Sequence, residues 1–368
     1  QGGPNSVNVV REDTVQRGLL FAGTERSLFV SFDDGDHWQP FDHALPTTSV
    51  RDITIHDNDL VIATHGRGFY VLDDIVPLRA LAADAAAGLR LFPEAAAYRV
   101  NEPRFLGTPK PKDEPLSPNP PLGALIDYVL PAATSGPVQI AIYDSAGALV
   151  NRFSSTDPVK PIDLAKLAVA PEWVVSPRPP IATAGHHRFV WDLHYSKPGG
   201  LKDEDTPAGV WAPPGRYTVE LTAGGRTLWQ PLAVLADPRV QVSQADFNAE
   251  FQVAKQIEQA RVRTRRMIEA ATDVKAGLGK VAGTDALTAE LKQLLGEEAP
   301  MGGATAPTTL TSVSEWLDNL AQAVEGADGA PTPDNVRGFA VVSAALDSLE
   351  PRWRAFEATA RARIPASR

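Results

Sequence analysis

Residues 31–38 read Ser-Phe-Asp-Asp-Gly-Asp-His-Trp, and three readings compete for this stretch. A calcium loop needs acids at alternating positions, a central glycine and a distal bidentate glutamate. Here Gly35 interrupts the series, and no glutamate follows within residues 37–42. A catalytic carboxylate pair would be Asp33 with Asp34, but neighbours on a strand point to opposite faces. A turn uses every residue. Asp33 accepts backbone N–H groups just ahead of it, and Gly35 takes positive φ where the chain reverses. Trp38 is then expected to open the next strand and to bury its ring against the hairpin.

The neighbouring sequence fits a run of hairpins. Residues 18–35, GLLFAGTERSLFVSFDDG, predict two strands about a turn at Glu25-Arg26-Ser27. Residues 59–75, DLVIATHGRGFYVLDDI, predict two more about Gly66-Arg67-Gly68. Placing Ala22 on Ala63 puts Arg26 on Arg67, Phe29 on Tyr70, Val30 on Val71 and Asp33 on Asp74. A repeat of short strands at this spacing is that of propeller blades, and each blade buries its faces against neighbours. Two blades cannot close a ring, so residues 1–80 are expected to be the closing blades of a propeller with further blades upstream. The opening QGGPNSVNVV, without Met or a charged-then-apolar leader, is read in the same sense, as the interior of a longer protein.

Ser31, Asp33, Gly35 and Trp38 match Ser-x-Asp-x-Gly-x-x-Trp. The pattern resembles the Asp-box (BNR) repeat of sialidases, xyloglucanase-like glycoside hydrolases and the sortilin luminal propeller. His37 stands where that family usually has Thr or Ser. The resemblance implies a structural role for these four residues, on an outer hairpin away from the axial binding face. It also implies a bacterial, exported protein of the sortilin-like or BNR-repeat glycosyl hydrolase type, periplasmic or secreted. His65 and Arg67, and Glu25 on the other hairpin, are the candidate binding residues. A histidine and an arginine at a propeller mouth suit an anionic glycan or a peptide carboxylate, while a purely structural turn remains the competing reading.

Downstream the character changes three times. Residues 81–118 are rich in Ala and then in Pro and charge, and predict a linker. Residues 119–238 return to alternating strands, with turns at Ser145-Ala146-Gly147 and Ala223-Gly224-Gly225, and predict a small β-sandwich. Tyr143-Asp144 with Gly147, Trp191-Asp192 and Pro214-Gly215-Arg216-Tyr217 resemble the immunoglobulin-like module of the flagellar hook-cap protein. That resemblance implies a spacer or docking domain. His186, His187 and His194 invite a metal reading, but alternation separates the first two, and no carboxylate stands at ligand spacing. Trp173, Trp191, Trp211 and Trp229 are read first as sandwich core, with a carbohydrate platform as the alternative. From residue 239 the apolar period becomes helical. Ser243 with Asp246 predicts a capping box, DALTAELKQLLG at residues 285–296 a second helix, Ser312 with Glu315 the start of a third, and Pro333 that of a fourth, with Pro351 expected to kink it. Residues 239–368 thus predict a helical hairpin or bundle. The basic run Arg261, Arg263, Arg265, Arg266 reads as a solvated helix face.

The expected fold class is therefore multidomain and mainly β: two closing blades, an immunoglobulin-like sandwich and a helical tail. With 35 basic and 45 acidic residues the net charge is −10, which argues against a nucleic-acid partner. There is no cysteine, and no apolar run of membrane-spanning length. No catalytic, metal or cofactor set is assigned. The expected function is structural and ligand- or partner-binding, with the upstream blades as partner. The alternative is the C-terminal part of a glycoside hydrolase whose catalytic carboxylates, or sialidase arginines and tyrosine, lie upstream.

Overall fold

The computed structural model describes residues 6–41, 45–83, 88–101, 121–131, 135–159, 167, 178–201, 208–296 and 306–365. It is mainly β, with a helical C-terminal region. The chain divides into two compact units: Gln1–Asp192 with Gly215–Leu235, and Leu193–Pro214 with Ala236–Arg368.

Two antiparallel sheets open the first unit. One holds β1 (Val7–Glu12), β2 (Leu20–Thr24), β3 (Leu28–Ser31) and β4 (Gln39–Pro40), in that order. The other holds β5 (Val50–His56), β6 (Asp59–Thr64) and β7 (Phe69–Leu72). They repeat each other in detail. The β1–β2 register slips between Val7 and Val9, and the β5–β6 register between Val50 and Asp52. Thr24 Oγ1 donates to the Ser27 carbonyl at 2.9 Å, and Thr64 Oγ1 to that of Gly68 at 2.7 Å. Each threonine closes its hairpin from the same place, and the second turn is one residue longer. The uniform shift that laid Ala22 on Ala63 is corrected accordingly: Thr24 corresponds to Thr64 and Ala22 to Ile62, whereas Leu28 corresponds to Phe69 and Val30 to Val71. An insertion inside a turn leaves both flanking strands in place.

The sheets pack face to face. Phe21 opposes Val30, and Gly23 opposes Leu28, so all four share one face. That face meets Val50, Ile53, Leu60 and Ile62 of the second sheet in one apolar core. The approach is closest at Gly23, where a Cβ would stand 2.5 Å from Val50 Cγ1. Burying each such aliphatic side chain stabilises the pair by about 1.5–3 kcal/mol.

After β7, Asp74 turns the chain at φ 60° and accepts the Val76 N–H at 3.0 Å, which starts α1 (Val76–Ala83). From α1, Arg79 donates to both carboxylate oxygens of Asp13, at 3.0 and 2.9 Å. Residues 90–99 depart from the linker reading. They carry β8 (Arg90–Leu91) and β9 (Ala97–Arg99), because Leu89, Leu91, Phe92 and Ala97 have apolar cover to enter. The remaining strands are β10 (Ala124–Leu130), β11 (Gln139–Asp144), β12 (Leu149–Ser154), β13 (Gly185–Trp191), β14 (Gly215–Ala223) and β15 (Arg226–Ala236). They form sheets ordered β13-β10-β8 and β12-β11-β14-β15-β9. Trp191 of the first sheet and Tyr217 of the second meet with ring centroids 5.4 Å apart, both buried. Trp229 does not join this core: it is 53% exposed and lies beside Tyr143. Trp173 lies outside the described residues.

The second unit is built on α2 (Gln244–Leu278), α3 (Asp285–Leu295), α4 (Leu310–Glu325) and α5 (Pro333–Arg361). The Ser243–Asp246 capping box opens α2. The α4 start is corrected: Thr309 is the N-cap, and Ser312 is its reciprocal partner three residues on. The Ser312 hydroxyl accepts the Thr309 N–H at 3.1 Å, in the place that a capping-box carboxylate usually holds. Helix α5 begins at Pro333 and continues past Pro351. Its core gathers Ala254, Ile257, Leu317, Leu346, Trp353 and Phe356. Residues 193–214 belong to this unit, with Val210 in the core and the Tyr195 ring 5.0 Å from Phe251. The arginine run is a solvated face only in part: Arg263 and Arg266 are exposed, Arg265 is half-buried and Arg261 is buried. Arg261 Nε lies 2.8 Å from Asp318 Oδ1, and Arg263 Nη2 2.9 Å from Asp347 Oδ1, so these charges join α2 to α4 and α5.

Candidate functional site

The 31–38 turn forms as its residue types require. Ser31 Oγ donates to Asp33 Oδ1 at 2.9 Å and accepts the Gly35 N–H at 3.0 Å. Asp33 Oδ1 also accepts the His37 N–H at 2.9 Å. Asp34 and Gly35 carry the reversal at φ 60° and 93°. His37 closes the loop with its ring, Nδ1 standing 2.6 Å from Asp33 Oδ2. The His37 backbone N–H, then its ring, hold the Asp33 carboxyl below its usual range, and Asp33 raises His37 in return. Trp38 corrects an expectation: it is 39% exposed and precedes β4 rather than opening it.

The hairpin turns at the Thr24 and Thr64 end bring the candidate binding residues together. The Glu25 N–H donates to the Ser6 carbonyl at 3.0 Å, and the His65 N–H to the Ser49 carbonyl at 2.8 Å. Glu25 and His65 are thus equivalent positions on adjacent sheets, whereas the sequence alignment had set His65 against Thr24. Between them, Arg51 Nη1 meets Glu25 Oε1 at 3.1 Å, and Asn8 Nδ2 donates to Ser49 Oγ at 3.2 Å. His65 and Arg67 are exposed, and Glu25 is half-buried. Arg67 stands between Gly66 and Gly68, both at positive φ, where the open space lets the turn project. This rim offers imidazole, guanidinium and one paired carboxylate to a ligand.

A second polar cluster escaped the sequence reading. Asp127 on β10 is buried and faces Arg188 directly across β13, with Nε 3.0 and 3.2 Å from its two oxygens. His186 Nε2 adds a contact at 3.1 Å. Arg188 also donates to the carbonyls of Asp73 and Asp74 at 3.3 Å, so one guanidinium ties β10 to the end of β7. Beside it, burial, reinforced by Asp127 and Asp74, pushes the Glu94 carboxyl well above its ordinary value. Burial likewise raises Asp74. The signal was present: Asp127 in ALIDYVL and Arg188 in HHRFVW are single charges in apolar strands, and a buried charge demands a partner. Among the described residues, no cluster of three His, Asp or Glu is placed to hold a metal.

No protein-family model, curated protein or solved structure matches this chain. Among the described residues, no helix is long and apolar enough to cross a membrane.

Proposed function

We propose that this chain is a structural and ligand- or partner-binding part of an exported Asp-box propeller protein, sortilin-like in kind and not catalytic by itself. It supplies two successive blades, an immunoglobulin-like sandwich and a helical tail. The observation that carries this reading is the repetition itself: two sheets share a strand slip, a threonine-closed hairpin and a serine-accepted turn, and pack face to face.

The rim of Glu25, Arg51, His65 and Arg67 is the binding end, and its chemistry suits a carboxylate on a glycan or a peptide terminus. Glycoside hydrolysis needs two carboxylates about 5–10 Å apart across the scissile bond. The rim carries Glu25, already paired with Arg51. Asp127, buried under Arg188 and His186, serves the interior instead. The experiment is a panel of sialylated and neutral glycans and carboxylate-ended peptides, followed by calorimetry and by product analysis. Binding of an acidic member without turnover is expected. Hydrolysis of any member by the 368-residue chain overturns the reading.

A further inference from the structure

The two hairpin sheets share a core drawn from residues between Val9 and Ala82. Among the described residues, no strand of these sheets pairs with a strand of the other two. The chain crosses from one part to the other once, after α1. A polar contact bridges them. Arg188 of β13 reaches the Asp73 and Asp74 carbonyls at 3.3 Å with its terminal nitrogens, while its Nε holds Asp127 of β10 at 3.0 Å. One side chain spans the joint, and its hold depends on the acids around it.

Those acids outnumber it. Asp74 is buried and faces Arg188, Asp127 and Asp59 of β6; Asp73 faces Asp59 and Arg188. Glu94, which follows β8, accepts the Asp127 N–H and faces Asp127, Asp74 and Arg188. Against these carboxyls stand the one guanidinium and the His186 ring, 3.1 Å from Asp127. Arg90 of β8 lies over the Phe92 ring, and Arg79 of α1 is engaged by Asp13 and Asn58. The decisive atom is Glu94 Oε1. It is closed to solvent and, among the described residues, meets no hydrogen-bond donor. A carboxylate there buries a charge without a partner, whereas a carboxylic acid does not. Burial accordingly raises both Glu94 and Asp74.

We propose that this joint is a proton-operated hinge, closed while Glu94 and Asp74 carry protons and opened when they give them up. Opening lets both carboxylates reach water and releases the Arg188 hold on the Asp73 and Asp74 carbonyls. The proton acts as a ligand that binds the closed arrangement more tightly than the open one. A group raised in the closed arrangement favours closure fully below its ordinary value, and ceases to do so as pH rises through the raised one. The hinge makes the position of the hairpin rim against the sandwich depend on pH. It does not rest on the propeller reading.

The chain has no cysteine, so a pair of spin labels can be attached at Arg17→Cys and Ser145→Cys, both exposed and on opposite sides of the joint. Pulsed spin-resonance distances are then measured at pH 5 and pH 9. The parent is expected to give one narrow distance at pH 5, and at pH 9 a second, longer one in more than about a tenth of the molecules. The double variant Glu94→Gln with Asp74→Asn has no charge to expose and keeps the narrow distance at both. Asparagine suits the positive φ of residue 74 and still accepts the Val76 N–H. A second label pair, Arg17→Cys with Thr54→Cys, lies within the hairpin sheets and is expected to stay constant. A single narrow distance in the parent at both pH values overturns the proposal. A long distance at pH 9 that persists in the double variant assigns the movement to another group and overturns it too. So does a change in the second pair, which would mean unfolding of the hairpins rather than a hinge.

Discussion

Glu25 and His65 occupy one position in two successive sheets, each held by a backbone hydrogen bond to the serine that precedes its sheet's first strand. The scaffold at this position is constant and the side chain varies.

Replacing the rim side chains is expected to alter binding and leave the fold intact. His65→Ala and Arg67→Ala each weaken an acidic glycan or carboxylate peptide about tenfold by calorimetry, roughly 1.4 kcal/mol. Both side chains are exposed, so Tm stays with the parent. Equal affinity in both variants would move the binding surface elsewhere.

The Asp33–His37 contact is expected to show in the titration of the His37 ring. Asp33 is held below its ordinary value and His37 above it. The raised histidine contributes stability below its unfolded value, lost as pH rises through the raised one. The lowered aspartate contributes above its unfolded value, lost as pH falls through the lowered one. The contact is therefore complete between these limits, across weakly acidic pH. By NMR, Asp33→Asn returns the His37 midpoint toward 6.5. An unchanged midpoint refutes the pairing.

Asp13 and Arg79 are both buried, and their ion pair spans the first sheet and α1. Burial alone would raise the Asp13 carboxyl, but hydrogen bonds from Arg79 and from the Gln16 and Val15 backbone outweigh it and hold it low. Arg79→Met strands that carboxylate and costs about 3–5 kcal/mol in a denaturant titration. The double variant Asp13→Asn with Arg79→Met recovers part of the loss. A single Arg79→Met within about 0.5 kcal/mol of the parent contradicts the packing at this end.

Glu94 and Asp74 set a pH dependence of the opposite kind. Both are raised by burial, so the folded state holds protons that the unfolded chain has released. Stability contributed by the neutral carboxyls is complete below their unfolded values and declines as pH rises through the raised ones. Glu94→Gln keeps the shape without the ionisation. Its stability profile, measured by urea unfolding from pH 4 to pH 8, is flatter than the parent's. Parallel profiles would place Glu94 in a solvated site.

The hairpins, the repeat and the turn at Ser31–Trp38 were legible because short-range chemistry dictates them: alternating apolar residues, glycines at positive φ, an aspartate facing free N–H groups. Less legible was whatever depends on what arrives from far along the chain. Trp38 looked like core by composition but stands partly in water. Arg261 looked solvated but is buried against Asp318, a residue more than fifty positions away. Residues 90–99 looked like linker because an edge strand of two or three residues carries almost no periodic signal. The alignment of the hairpins was off by one on its first strand because an added turn residue is invisible until the threonine hydrogen bonds are seen.

The most direct measurement is the intact mass of the natural protein, taken from its source cell with an antibody against helix α5. The account predicts a single polypeptide well above the 39.4 kDa of this chain, large enough to carry the sheets that complete the ring. A monomeric species at 39.4 kDa would contradict it.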